Sequence, residues 1–126
     1  MLKLVGVKKR LGGQPVLQGV DLTIPPGKLT TIIGPSGEGK SVLLKHMIGL
    51  LQPDEGQVWV DDVEISRLRG RRLNEVRKRF AMLFQGAALF DSMSVFDNVA
   101  FPLREKLRLG EAEVAQRVTE ILGQVG

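Results

Sequence analysis

Apolar and polar positions fall into short blocks along this chain, and the spacing within each block predicts an element. Residues 2–7 and 16–24 carry short apolar or alternating runs separated by Gly12-Gly13-Gln14-Pro15, and Pro25-Pro26-Gly27 closes the second run. Two strands forming an antiparallel flap are predicted. Leu29-Thr30-Thr31-Ile32-Ile33 is a β-branched apolar run of buried-strand type, while Val42, Leu43, Met47 and Leu50 recur at helical spacing from Lys40 to Leu50. Gln52-Pro53-Asp54-Glu55-Gly56 breaks that helix, and Val58-Trp59-Val60 reads as a brief strand ending in an Asp61-Asp62 turn. Arg71 to Lys78 reads as a short helix and Phe80-Ala81-Met82-Leu83-Phe84 as a compact buried strand. Ser94-Val95-Phe96-Asp97 has the form of a helix start, with Pro102 limiting that helix. In the last segment Val114, Val118, Ile121 and Leu122 form one apolar helical stripe.

Between the predicted strand at 29–33 and the helix from Lys40 lies Gly34-Pro35-Ser36-Gly37-Glu38-Gly39-Lys40-Ser41, which fits G-x-x-x-x-G-K-[ST]. Strand, loop, helix is the setting this phosphate-binding loop requires. A polyphosphate needs a ring of donors at close approach, so residues without Cβ fall at Gly34, Gly37 and Gly39. The helix beginning near Lys40 adds its positive dipole end. Lys40 is expected to reach the β- and γ-phosphates and Ser41 to ligate Mg²⁺.

With 126 residues, the chain is expected to form one domain or part of one. It has no cysteine, no apolar run of membrane-spanning length and no signal-like start, since Lys3, Lys8, Lys9 and Arg10 interrupt it. A soluble cytoplasmic protein is expected. Net charge is +4, concentrated in Arg67, Arg69, Arg71, Arg72, Arg77, Lys78 and Arg79. No aromatic is interleaved for base stacking before Phe80, so a solvated helix face is expected and not a nucleic-acid site.

Taken together, the segments resemble the first half of an ATP-binding cassette (ABC) transporter ATPase subunit, from about Leu2 to Gly126. Val16-Leu17-Gln18-Gly19-Val20-Asp21-Leu22 with Ile24-Pro25-Pro26-Gly27 is similar to the entry into that family's phosphate loop. Gln52 to Asp62 is similar to the turn and strand beyond it, and Met82-Leu83-Phe84-Gln85-Gly86-Ala87-Ala88-Leu89-Phe90 to the Q-loop. Ser41 to His46 and Phe84 to Glu105 resemble the Mla-type branch, which moves phospholipids or organic solvents across the Gram-negative envelope.

The resemblance implies an α/β P-loop NTPase fold, the ABC ATPase core, with an antiparallel flap and the start of a helical subdomain. It divides the chain into a nucleotide-binding core at 1–85 and a Q-loop and helical segment at 86–126. It implies ATP and Mg²⁺ as cofactors. Ser36, Gly37, Glu38, Gly39, Lys40, Ser41 and Val42 are implied to hold the phosphates and Gln85 to complete the metal and water shell. Being a neutral amide, Gln85 can do so without adding charge beside the γ-phosphate. The family places an aromatic before the Gly-Gly turn to stack on adenine. Here Leu11 stands there, with Lys9 next if the register slips, so Leu11 and Val16 are left to provide apolar contact.

Partners implied are a second ATPase subunit, as a homodimer, and a membrane permease reached through Leu89 to Ser94, with the protein peripheral on the inner face of the cell membrane. Leu89, Phe90 and Met93 are candidates for that contact or for ordinary core. Hydrolysis also needs an Asp ending a further apolar strand, a following carboxylate and a distal His, and three decoys fail to supply them. Ala87 to Asp91 follows Gln85 too closely to be a core strand; Asp61-Asp62 reads as a turn; and Leu11-Gly12-Gly13-Gln14, which imitates part of the family's signature motif, precedes the phosphate loop. His46 is expected to pack or to face solvent. The alternative from a different class is a non-catalytic nucleotide-binding or interaction fragment.

Overall fold

The computed structural model describes residues 1–126. Its internal contacts divide them into two units, Met1–Ala81 and Met82–Gly126. In the first unit the elements are β1 (Leu2–Leu11), β2 (Gln14–Ile24), α1 (Lys40–Met47), β3 (Glu55–Val60), β4 (Val63–Glu64) and α2 (Gly70–Arg77). The strands form one antiparallel sheet in the order β2-β1-β3-β4, with β1 paired on both sides, so the flap expected from the two leading runs is present. Strict alternation would put Leu4 and Val7 on opposite faces, yet both are buried. The register of β1 against β2 shifts between them, and the Gly6 N–H turns aside to Asp21 Oδ1 at 2.7 Å. A bulge thus returns both side chains to one core. Opposite it, Gly56 has φ +92°, and a Cβ there would lie 2.5 Å from the Val5 and Gly6 carbonyl oxygens, so only glycine lets β3 approach β1 at this point.

Helices α1 and α2 cover the buried face of the sheet. Leu4, Val7, Leu17, Leu43, Met47, Val58, Val60, Ile65, Leu73 and Val76 make one core, each aliphatic side chain contributing about 1.5–3 kcal/mol on burial. His46 joins it, its Nδ1 donating to the Val42 carbonyl at 2.7 Å, so the packed alternative holds. The helix predicted to reach Leu50 ends at Met47, and Leu50 is exposed. Arg77 explains where it stops being needed: its guanidinium reaches from α2 to the Ile48 and Gly49 carbonyl oxygens, at 3.3 and 2.5 Å. A cation therefore sits on the negative end of the phosphate-loop helix.

Two predicted strands do not form. Residues 29–33 are irregular, with Leu29 96% and Ile33 90% exposed, and residues 80–84 are likewise irregular, with Leu83 84% exposed. A buried strand draws its hydrogen bonds from neighbours on both sides, and the only sheet in the molecule is the flap. With no partner in these residues, β propensity and hydrophobicity are insufficient to order either run.

The second unit contains α3 (Val95–Pro102), a π-helical turn at Leu103–Leu107 and α4 (Glu111–Val125). Ser94 caps α3 as predicted, its hydroxyl accepting from the Asp97 N–H at 3.1 Å. The α-helix ends at Pro102 as expected, and the chain continues through the π turn and breaks at Arg108, which has φ +50°. Ala100, Val114 and Val118 are fully buried, with Phe96, Val99, Leu103, Leu109 and Leu122 around them, while Ile121 of the predicted stripe is half exposed.

Candidate functional site

The chain leaves Ile33, runs through Gly34 to Gly39 and enters α1 at Lys40. Gly39 occupies the N-cap position in the left-handed conformation, φ +87°, and a Cβ there would stand 2.9 Å from Val16 Cγ1 and 3.3 Å from the Val16 carbonyl oxygen. Backbone conformation and contact with β2 both require glycine. No side chain caps α1. The first N–H groups of a helix have no intrahelical acceptor, so those at the start of α1 stay free for an anion at its positive end. Lys40 folds back so that its Nζ donates to the Gly34 and Pro35 carbonyl oxygens, spanning the mouth of the loop. The ammonium is held by neutral acceptors that phosphate oxygens can replace with stronger, charge-assisted bonds.

A cavity of about 230 Å³ adjoins this loop. It brings together Val16, Gly34, Glu38, Gly39 and Lys40 from the predicted set, with Leu17, Gln18 and Val20 as its flap-side wall and Ile32 from the irregular segment before the loop. Ser36, Gly37, Ser41 and Val42 belong to the same loop and first helical turn without lining the cavity, and Leu11 does not line it either. The volume is below the ~300–1,000 Å³ of pockets that enclose a ligand. Two larger depressions, each about 470 Å³, lie beside Trp59 and between α3 and α4. Neither has a helix N-terminus or a convergent set of anion donors.

No cluster of acidic, histidine or cysteine residues could hold a metal on protein ligands alone. Mg²⁺ does not require one: it keeps its waters and takes one or two protein oxygens together with phosphate oxygens. The exposed Ser41 hydroxyl in the first turn of α1 fits that donor set.

Gln85, in the second unit, is exposed and opens a turn in which Gly86, Ala87 and Ala88 all have positive φ, at +85°, +63° and +52°. Each left-handed alanine costs about 1–2 kcal/mol, so this turn is shaped against local preference. It also rules out the strand decoy at Ala87 to Asp91. Beyond it, Leu89 is 67%, Phe90 47% and Met93 37% exposed among these residues.

Three residues with defined roles escaped the sequence reading. Arg77, counted there as part of a solvated basic face, caps α1, while Arg69, Lys78 and Arg79 pair with Gln52, Glu75 and Asp61. Arg104 donates to Asp97 at 3.0 Å and to both Glu111 oxygens at 3.0 and 2.9 Å, with its guanidinium 5.9 Å from the Phe96 ring centre. This cation holds the Asp97 and Glu111 carboxyls below their ordinary range. Asn98 bonds the backbone of the Phe90 to Ser94 loop. Only the wide i, i+7 spacing of Asp97, Arg104 and Glu111 could have hinted at the Arg104 bridge.

Residues 17–126 match the model of the ABC transporter family. The chain is 43% identical to a Mycobacterium tuberculosis protein named probable ribonucleotide transport ATP-binding protein mkl, over 99% of this chain and 35% of that protein. It is likewise 43% identical to the intermembrane phospholipid transport system ATP-binding protein MlaF of Haemophilus influenzae, over 100% of this chain and 48% of that protein. The chain thus spans about a third to a half of these relatives. Among solved structures, the ATP-binding cassette MJ0796, described as a dimer bound to ADP and Pi, superposes with a TM-score of 0.81 at 33% identity, covering 98% of this chain and 56% of that one. The cassette cbiO1 of Clostridium perfringens gives a TM-score of 0.77 at 30% identity, over 97% and 49%. With the family model matched over residues 17–126, this chain belongs to the ABC transporter family.

Proposed function

We propose that these residues are the ATP-binding part of an ABC transporter ATPase subunit of Mla type, which in the complete protein powers transport of lipid or hydrophobic compounds across the cell envelope. The observation that carries this is the Gly34–Ser41 loop, where a left-handed glycine, an uncapped helix start and a folded-back lysine leave donors open to a polyphosphate. Lys40 and the first-turn N–H groups hold the β- and γ-phosphates, with Ser36, Gly37, Glu38, Gly39 and Val42 shaping the cradle. Ser41 would hold Mg²⁺, which when bound would spread the charge of the phosphate oxygens, and Gln85, in the second unit, would offer a neutral amide for water or metal. Val16, at the cavity wall, gives the base an apolar contact; Leu11, at the exposed end of β1, gives it one only if the base extends beyond the cavity.

The MlaF relative's name supports the lipid branch, and that of mkl points to a transport ATPase with different cargo. Dimer formation, supported by the description of MJ0796, would close a second subunit over the nucleotide. The exposed Leu89, Phe90 and Met93 are proposed as the permease contact, with the protein peripheral at the inner membrane face. No helix here is long and apolar enough to cross a membrane.

The second reading, binding without turnover, applies to residues 1–126 taken alone, because the one strand among them that runs into an Asp and carboxylate pair, β3 with Asp61-Asp62, lies in the antiparallel sheet and its Asp61 is paired with the Met1 amino group and Arg79. Comparing ATP turnover of residues 1–126 with that of the complete subunit tests both. Turnover only in the complete subunit, abolished by Lys40→Ala, is expected. Equal turnover in the two would overturn the need for further residues.

A further inference from the structure

Asn98 lies in the first turn of α3 and spends its whole side chain on the loop before it. Its Oδ1 accepts from the Phe90 N–H at 2.8 Å, while Nδ2 donates to the carbonyl oxygens of Phe90, Met93 and Ser94 at 3.1, 3.2 and 3.0 Å. A primary amide presents one donor and one acceptor in the geometry of a peptide unit, so Asn98 pairs with both backbone groups of Phe90 as a neighbouring strand would. The two remaining carbonyls converge on the same nitrogen, and no other uncharged side chain of this size offers two N–H groups beside an acceptor. The loop is thereby fastened to the start of α3. That helix is in turn held to α4 through Asp97, Arg104 and Glu111.

The fastened segment contains Phe90 and Met93, with Leu89 adjoining it, and all three expose apolar surface. The Phe90 ring is supported from beneath by Phe101, with centroids 5.0 Å apart. An ordinary surface loop has little use for so much hydrogen bonding, whereas one that presents apolar side chains to a partner must be fixed before contact or lose binding energy in ordering. We infer that Asn98 is the positioning residue of the permease-docking loop, setting the shape in which Leu89, Phe90 and Met93 meet the membrane subunit. The inference rests on the proposed docking role of those three residues.

The test uses the complete subunit, alone and assembled with its own permease. Asn98→Asp keeps size and acceptor but turns a carboxylate toward three carbonyl oxygens; Asn98→Ala removes all four bonds without adding charge. Both are expected to speed deuterium exchange across residues 89–94 about tenfold, the value of about one lost hydrogen bond. MgATP affinity should stay within about twofold, and permease-stimulated turnover should fall by about fivefold or more. Unchanged exchange in both variants overturns the inference. So does unchanged stimulation in both, provided that Leu89→Ser with Met93→Ser abolishes stimulation. If that double variant leaves stimulation intact, the docking role itself is overturned, and faster exchange in Asn98→Asp then supports only the loop-fixing role of Asn98.

Discussion

Two loops of this molecule follow helical capping rules in opposite ways. Gly34–Ser41 leads into a helix with no side-chain cap and leaves its donors open. The Phe90 to Ser94 loop leads into a helix capped by Ser94, with its backbone met by Asn98. On the proposed roles of the two loops, the difference separates two kinds of binding surface. Where the backbone itself is to be the ligand's partner, side-chain caps must be absent and glycine must supply the shape. Where side chains are to be presented, the backbone is satisfied internally and the shape comes from an amide clamp.

The contrast can be broken most severely at Gly39. Placing a β-branched residue there as Gly39→Val forces a positive φ and a clash with Val16, and should destabilise the first unit by about 3 kcal/mol or more. Chemical denaturation of the complete subunit would read this, with MgATP binding lost; full stability would mean that β2 can yield. A smaller effect is expected at the other end of the same helix. Arg77→Ala removes the cation from the Ile48 and Gly49 carbonyls and should cost about 1–2 kcal/mol. Arg77→Lys should recover part of it. No change in unfolding midpoint for the alanine variant would show that solvent caps α1 equally well.

The weakest test falls on the second unit alone. Asp97 and Glu111 have folded pKa values held below their ordinary ones by Arg104. Their contribution is therefore fully present above the unfolded values, about 4 for Asp and Glu, and is lost as pH falls through the lower folded values. Hydrogen exchange in α3 and α4 should rise on acidification below about pH 4, and Arg104→Gln should flatten that dependence. An unaltered acid profile in Arg104→Gln would assign no role to the bridge.

Much of this was legible in the sequence wherever the partners of a segment lie close along the chain. The phosphate loop, the flap strands, the Ser94 cap and the α4 stripe each depend on residues a few positions away or on one hairpin. The run 29–33 is apolar and β-branched and the run 80–84 is apolar, but a buried strand also needs flanking strands, which these residues do not supply. Their exposure of Leu29, Ile33 and Leu83 predicts that residues 1–126 by themselves self-associate. Light scattering would register that, and a soluble monomer at high concentration would contradict it. Arg77, Asn98 and Arg104 were missed for another reason. Their roles depend on carbonyl and carboxylate groups brought together by the turns, which no periodicity encodes.

The central claim is that Gly34–Ser41 is a phosphate cradle whose charge comes from Lys40. Titration of MgATP into the complete subunit by calorimetry, for the unaltered protein and for Lys40→Ala, tests it most directly. One saturable site is expected in the unaltered protein, with affinity about 10- to 100-fold weaker in Lys40→Ala through the loss of charge-assisted bonds. Equal affinity in the two proteins would contradict it.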